Sequence, residues 1–171
     1  MPRAKVYLTA KNLDQLTIDG NAQVTIAEEL HTKNMKIMLN SDGCLKGNLK
    51  IENIASLHAG KNAKFDGKIE SDRFTGAFQN NSKINLTGRS HEAIMETSHT
   101  TVLNARNYTT KEITIRSFGN SVAAINGYSV LSVEVADQAK VTYFGFPKDL
   151  ALNEEAVTYQ KTLLNRALSL N

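Results

Sequence analysis

The fold is decided by a phrase that first reads Leu16-Thr17-Ile18-Asp19-Gly20, an alternating apolar segment that runs into a tight turn. The turn glycines of its successive copies are 23, 24, 21 and 39 residues apart, and the last interval is close to two periods. A period of roughly 20 to 25 residues, combined with the alternation of apolar and polar residues that is typical of β-strands, predicts a stacked β-solenoid. The further copies are Leu39-Asn40-Ser41-Asp42-Gly43, Ala63-Lys64-Phe65-Asp66-Gly67, Ile84-Asn85-Leu86-Thr87-Gly88 and Ala123-Ala124-Ile125-Asn126-Gly127.

Apolar residues return at fixed distances from these glycines, and this favours a parallel β-helix over an antiparallel sandwich. Stacked coils place equivalent positions above one another, whereas a sandwich has no reason to refill the same slots. About six to seven coils fit between residues 5 and 146 at this period. The slots are Ile18, Phe65, Leu86 and Ile125 two residues before the glycine, Leu16, Leu39, Ala63, Ile84 and Ala123 four before it, and Ile26, Leu49, Ile94 and Val133 six after it.

The tail beyond Pro147 has a different pattern, which predicts an α-helix over residues 154–169. Asn153 suits a helix N-cap, and apolar residues then recur at helical spacing. We therefore expect a β-helix domain over 1–147 and a helical tail over 148–171. The tail helix is expected to cover the open end of the solenoid, and a partner-binding or self-association helix is the alternative.

Composition limits the class of protein. The 171 residues, 41% hydrophobic and 22% charged, suffice for one folded domain, and 17 asparagines suit many tight corners. The net charge of +3 comes from scattered bases, so we expect no nucleic-acid partner. No apolar run reaches about 18 residues, so no membrane span is expected. The single cysteine, Cys44, excludes an intrachain disulfide and a cysteine metal cluster.

The first residues lack the apolar core and cleavage site of a signal peptide. We therefore expect either a cytoplasmic protein or an export signal on a part not included in this sequence.

Two phrases resemble the head GIN domain family of auto-transporter adhesins. The segment 131–147 carries the closing anchors Val141, Tyr143, Gly145 and Pro147, and residues 13–24 resemble the opening phrase. The matches bracket residues 13–147. The resemblance implies a right-handed parallel β-helix, a bacterial source, export to the cell envelope and an adhesive role, and it supplies no catalytic motif.

Imidazoles and carboxylates gather in one segment. His91, Glu92, Glu96, Ser98 and His99 lie close together there, but their spacings point the side chains to alternating faces of a strand. Neither His31 nor His58 extends the group, so we predict no metal site.

The remaining candidates also have structural explanations. The set Asp66, Glu70, Asp72 and Arg73 is the nearest approach to a polysaccharide lyase or hydrolase site, but such pairs are common on soluble strands. We expect Cys44 to be a small core or corner residue. Asparagines beside turn glycines are expected to make corners and to stack between coils: Asn21, Asn62, Asn81 and Asn120. Aromatic residues are expected to fill the last coil or to bind sugar rings: Tyr128, Tyr143, Phe144 and Phe146.

The sequence therefore predicts a non-enzymatic binding or adhesion module of a bacterial envelope, with no catalytic, cofactor-binding or metal-binding residues. Its expected partners are polysaccharide or protein surfaces. A self-associating structural scaffold is the first alternative, and a glycan-active β-helix enzyme is the second.

Overall fold

The structure, a computed structural model, describes residues 9–10, 12–153 and 157–159. These residues form an all-β parallel solenoid of about seven turns, as the repeat predicts. The described part of the chain contains no helix, and therefore no helix that could cross a membrane. The strands are β1 (Gln15–Ile18), β2 (Gln23–Thr25), β3 (Leu30–Leu39), β4 (Cys44–Ala59), β5 (Lys64–Phe78), β6 (Lys83–Thr97), β7 (Val102–Ser117), β8 (Val122–Val135), β9 (Lys140–Phe144), β10 (Asp149–Leu152) and β11 (Val157–Tyr159).

The strands join in the order β1-β3-β4-β5-β6-β7-β8-β9-β11, with β2 beside β4 and β10 beside β8, and the pairings are parallel. The long strands bend around the coil. The strand β4, for example, pairs with β2 through Cys44–Lys46 and with β3 from Leu49 onward. In β5 the fully buried residues Ile69 and Phe74 are five positions apart, which breaks strict alternation. This break and the turn after β5 divide the coil into shorter sides.

The core is a set of inward ladders, in which one slot is filled once per coil. Phe74 illustrates how the ladders pack, because it stacks between Ala55 in the preceding coil and Ala93 in the next, and all three are buried. Small residues above and below leave room for the ring, so neighbouring coils keep the strand spacing of about 4.8 Å. The Phe74 ring also contacts Tyr108, with the ring centroids 5.4 Å apart.

Each coil closes at a two-residue turn whose first residue has a positive φ. These first residues are 18 to 21 positions apart, and only two of the seven are glycines. Asn62 donates to Asp42 (3.2 Å) and Asn81 donates to Asn62 (2.6 Å), so these asparagines stack between coils as predicted. These bonds offset the cost of left-handed backbone at non-glycine residues. The seven residues are Gly20, Ser41, Lys61, Asn80, His99, Gly119 and Asp137.

The predicted register of turn glycines is wrong in detail. Gly67, Gly88 and Gly127 lie inside β5, β6 and β8 and not at the coil-closing turns. Gly67 faces Gly47 across the β4–β5 pair, where a Cβ on Gly67 would collide with the Gly47 carbonyl oxygen. Such glycines permit close approach of two backbones, which is a different role from a corner. The predicted period is still close to the length of one coil, because a glycine at a corner and a glycine inside a strand each recur about once per coil.

The predicted tail helix over 154–169 is wrong where the structure describes it. Residues 157–159 form β11, which pairs with β9, while 154–156 and 160–169 lie outside the described residues. Asn153, predicted as an N-cap, instead accepts from the Val135 amide (2.7 Å) and extends the ladder of β8. The solenoid therefore continues past Pro147 through β10. The exposed backbone groups of a parallel coil supply partners along a whole strand, whereas a short isolated helix is marginal.

Candidate functional site

A groove runs along the side of the solenoid, parallel to the coil axis, and most of the exposed lining of its second part is apolar. Its first part has a volume of about 690 Å³ and is lined by Asn12, Asp14, His31, Thr32, Lys33, Asn34, Lys50 and Glu52. Its second part, of about 440 Å³, shares Lys50 and Glu52 with the first and is further lined by Ile51, Glu70, Ser71, Asp72, Arg89, Ser90, His91, Thr109 and Tyr128. We call the two parts together the axial groove.

Strand register builds the axial groove by repeating one slot. His31 pairs with Lys50, Lys50 with Glu70, Glu70 with Arg89 and Arg89 with Thr109. Each pair belongs to neighbouring coils, so five side chains lie in a row along the axis. Four strand spacings of about 4.8 Å give this row a length of about 19 Å.

Glu70 is the electrostatic centre of the groove. Its carboxylate contacts the Lys68 ammonium at 2.6 Å and the Arg89 guanidinium at 3.4 Å. The hydrogen bond from Lys68 is the main reason that the pKa of Glu70 is lowered, and the same bond raises the pKa of Lys68. Glu70 is therefore held as an anion between two cations, which fixes its position on the groove wall.

Hydroxyl groups lie beneath the groove. Ser71, Ser90, Tyr108 and Thr110 each bury a hydroxyl oxygen that has no hydrogen-bond partner of full geometry among the described residues. Burial raises the pKa of Tyr108 to about 12, and the nearby hydroxyls of Ser90 and Ser71 oppose that rise. The four hydroxyls thus form a polar cluster inside the coil, directly under the part of the groove that Ser71 and Ser90 line.

The predicted aromatic group divides into two pairs. Tyr143 and Phe144 are buried in the last coils, as expected, and the Arg106 guanidinium lies 4.7 Å from the Phe144 ring centre. Tyr128 and Phe146 are instead 49% and 67% exposed. Tyr128 forms part of the wall of the axial groove, so the structure brings it together with Glu70 and Arg89.

The histidines and their neighbours do not form one cluster. Glu92 pairs with Arg73 at 3.3 Å, and His99 occupies a corner, where its Nδ1 lies 3.2 Å from Ser98 Oγ. Glu96 lies on another side of the coil, opposite Arg116 in the strand register. His91 lines the groove. Within the described ranges, no three His, Cys, Asp or Glu side chains are placed to hold a metal ion.

The two remaining histidines have local partners. His31 Nε2 lies 3.0 Å from a Glu29 carboxylate oxygen, and His58 Nε2 lies 3.3 Å from Ser56 Oγ.

The predicted acidic set is split between two surfaces. Glu70 and Asp72 line the groove, while Asp66 accepts from Asn85 (2.7 Å) and Arg73 pairs with Glu92 outside it. Cys44 opens β4 immediately after a corner and is partly exposed. The predicted set therefore included two carboxylates that line the groove, but not the residues that lie beside them there.

Sequence reasoning missed the cations and the serines of the groove: Lys50, Arg89, Ser71 and Ser90. A usable signal was present, because a repeat of 19 to 20 residues aligns Lys50, Glu70 and Arg89 in one slot. The glycine spacing of 21 to 24 residues concealed this alignment.

A family model described as "putative auto-transporter adhesin, head GIN domain" matches residues 1–147. No curated protein and no solved structure is similar enough to match.

Proposed function

The chain belongs to the head GIN domain family of auto-transporter adhesins, and from this premise we propose that it is a non-enzymatic binding module of a bacterial cell envelope. Its solenoid faces contact polysaccharide or protein. The axial groove carries the proposal, because a row of polar side chains from successive coils matches an extended partner better than a compact one. We also propose that the coil is right-handed, as the resemblance implies, because parallel crossovers are almost always right-handed.

Rigidity favours binding by such a surface. The backbone of the groove is fixed in paired strands, so no backbone entropy is lost when a partner binds. Glu70 already contacts Lys68 and Arg89, which lowers the cost of ordering its carboxylate. Many such prearranged contacts, each weak, give the broad adhesion expected of a surface module.

The charge state of Glu70 limits the catalytic roles that this carboxylate could take. A glycoside hydrolase needs one carboxylic acid whose pKa is raised, so that it can protonate the leaving group. The pKa of Glu70 is lowered, with its hydrogen bond from Lys68 as the main cause. Glu70 is therefore unsuited to the role of general acid in a glycan-active enzyme, which we keep as the alternative function.

Binding to whole envelopes tests the proposal. The full chain is incubated with intact bacterial cells, with isolated envelope polysaccharide and with envelope protein, and the bound fraction is measured against concentration. Saturable binding to at least one of the three is expected. If the chain binds none of them above the level of a β-helix protein from another family, the adhesion proposal is wrong.

A self-associating scaffold is the second candidate, and one observation favours it. Leu150 and Leu152 continue the inward ladders above Leu131 and Val133, yet they are 45% and 42% exposed. Light scattering over a range of concentrations tests this candidate with the full chain and with Leu152→Lys. Assembly that the variant abolishes would support the scaffold, and a monomer at every concentration would reject it.

A further inference from the structure

The axial groove has the shape of a site for a chain and not for a compact molecule. Its two parts, of about 690 and 440 Å³, meet at Lys50 and Glu52 and follow the coil axis. The row from His31 to Thr109 repeats one slot at every coil, so a polar side chain recurs about every 4.8 Å. A partner that lies lengthwise in this groove must itself be linear and extended.

The charges of the groove select a neutral partner. In the second part, the cations are Lys50 and Arg89, and the carboxylates are Glu52, Glu70 and Asp72. A polyanion would meet three carboxylates there, and a polycation would meet two basic groups. A neutral chain that carries many hydroxyls finds both donors and acceptors along the wall, at no cost in repulsion.

Tyr128 supplies an apolar surface at one end of the groove. Its side chain is 49% exposed, although a tyrosine ring usually buries much of its area. Phe146 is exposed nearby, just after Gly145, whose backbone lies against that of Gly127. A flat aromatic face beside paired donors and acceptors suits the C–H face of a pyranose ring together with its hydroxyls.

Small residues form the floor and supply further hydroxyls. Ser71 and Ser90 line the groove, and neither hydroxyl has a hydrogen-bond partner of full geometry among the described residues. Ser71 is only partly buried as a residue, although its hydroxyl oxygen is buried next to the Tyr108 hydroxyl.

We propose that the axial groove binds a neutral, linear polysaccharide lengthwise, with Tyr128 stacked on one sugar ring and Glu70, Arg89 and Lys50 bonded to hydroxyls. This site rests on the proposed adhesive function and makes it specific. The neutral glycan lies parallel to the solenoid axis and spans about four coil spacings, or about 19 Å.

The test uses the full chain, a panel of neutral oligosaccharides and two polyanions. Cello-, xylo-, malto- and chito-oligosaccharides of increasing length are titrated by calorimetry, with polygalacturonate and heparin for comparison. We expect at least one neutral series to bind with an affinity that rises with length up to the span of the groove. We also expect binding of that series to be unchanged between 50 and 500 mM salt, because uncharged ligands are not screened (roughly a threefold change in Debye length).

Three variants locate the site. Tyr128→Ala should weaken binding roughly threefold to tenfold, which is the usual value of one aromatic contact, while Tyr128→Phe should retain it. Ile94→Ala is the matched control, because Ile94 is 50% exposed and does not line the groove. Melting temperatures that equal that of the unaltered chain show that the variants fold.

The outcomes separate this site from the general function. Binding of a neutral series that Tyr128→Ala does not weaken would overturn the groove site and leave adhesion intact. Binding only to polyanions or only to envelope protein would overturn the choice of partner. Absence of binding to every neutral oligosaccharide, combined with binding to whole envelopes, would also overturn the glycan site but not the adhesive function.

Discussion

The buried hydroxyl of Tyr108 should make the fold sensitive to alkaline pH, and Tyr108→Phe should remove that sensitivity. The side chain is fully buried, and burial raises its pKa from 10.0 to about 12. A pKa that is higher in the folded protein contributes stability below pH 10 that is lost as the pH rises toward 12. At pH 11 the unfolded tyrosine is mostly ionised and the folded one is not, which corresponds to a loss of about 1.4 kcal/mol.

Urea unfolding followed by circular dichroism measures this loss. The free energy of unfolding is determined at pH 8 and pH 11 for the unaltered chain, for Tyr108→Phe and for Tyr128→Phe. Lysines also titrate in this range, so the quantity of interest is the difference between chains. The stability of the unaltered chain relative to Tyr108→Phe should fall by about 1.4 kcal/mol between the two pH values.

The control for this experiment is Tyr128, whose side chain is 49% exposed. Tyr128→Phe should follow the unaltered chain at both pH values, because an exposed phenol is hydrated in either state. A difference between the unaltered chain and Tyr108→Phe that does not change with pH would refute the reasoning. It would mean that water reaches the Tyr108 hydroxyl.

Two further predictions concern contacts inside the solenoid, one between backbones and one between buried hydroxyls. Gly67→Ala should destabilise the fold by about 2–4 kcal/mol in urea, because its Cβ would collide with the Gly47 carbonyl oxygen. Gly60→Ala, whose Cβ would meet nothing nearer than 3.8 Å, should change stability by less than about 0.5 kcal/mol, and equal effects would contradict the backbone contact. Thr97→Val should cost about 1–3 kcal/mol, since it removes a buried hydroxyl 2.6 Å from Ser117 Oγ. An unchanged unfolding midpoint for this variant would show that the hydroxyls re-pair.

Part of the fold could be predicted from the sequence, because stacked coils place apolar residues at equivalent positions once per coil. The same inward slots must be refilled by apolar residues in each coil, so Phe65 and Ile84 recur at an interval of 19 residues. That recurrence distinguishes a solenoid from a sandwich without any structure. The closing phrase with Tyr143 and Gly145 pointed to the family, which the match over residues 1–147 confirms.

The tail shows where local patterns fail. Residues 154–169 have helical spacing and Asn153 has the chemistry of an N-cap, yet residues 149–152 and 157–159 are strands. The decisive factor is absent from the local sequence. An open coil end presents a row of unpaired amides and carbonyls on β8 and β9, and a segment that pairs with them satisfies those groups.

The axial groove was hidden for a related reason. Asp66, Glu70, Asp72 and Arg73 are neighbours along the chain, but strand bending sends Asp66 and Arg73 away from the groove. The true neighbours of Glu70 are Lys50 and Arg89, one coil before and one coil after it. An error of two or three residues in the predicted length of a coil is enough to assign the wrong neighbours in adjacent coils.

The sequence by itself determined that the chain is a stacked parallel solenoid, because period and alternation are properties of the chain that each coil must repeat. Only the tertiary structure decided which residues form the corners, how the chain continues beyond Pro147 and which side chains share the axial groove. These depend on contacts between residues about 20 positions apart, and the alignment of successive coils is set by backbone pairing and by glycine contacts such as Gly47 with Gly67. Among the described residues, the corner position is filled by glycine, serine, lysine, asparagine, histidine or aspartate, so no single sequence motif records that alignment.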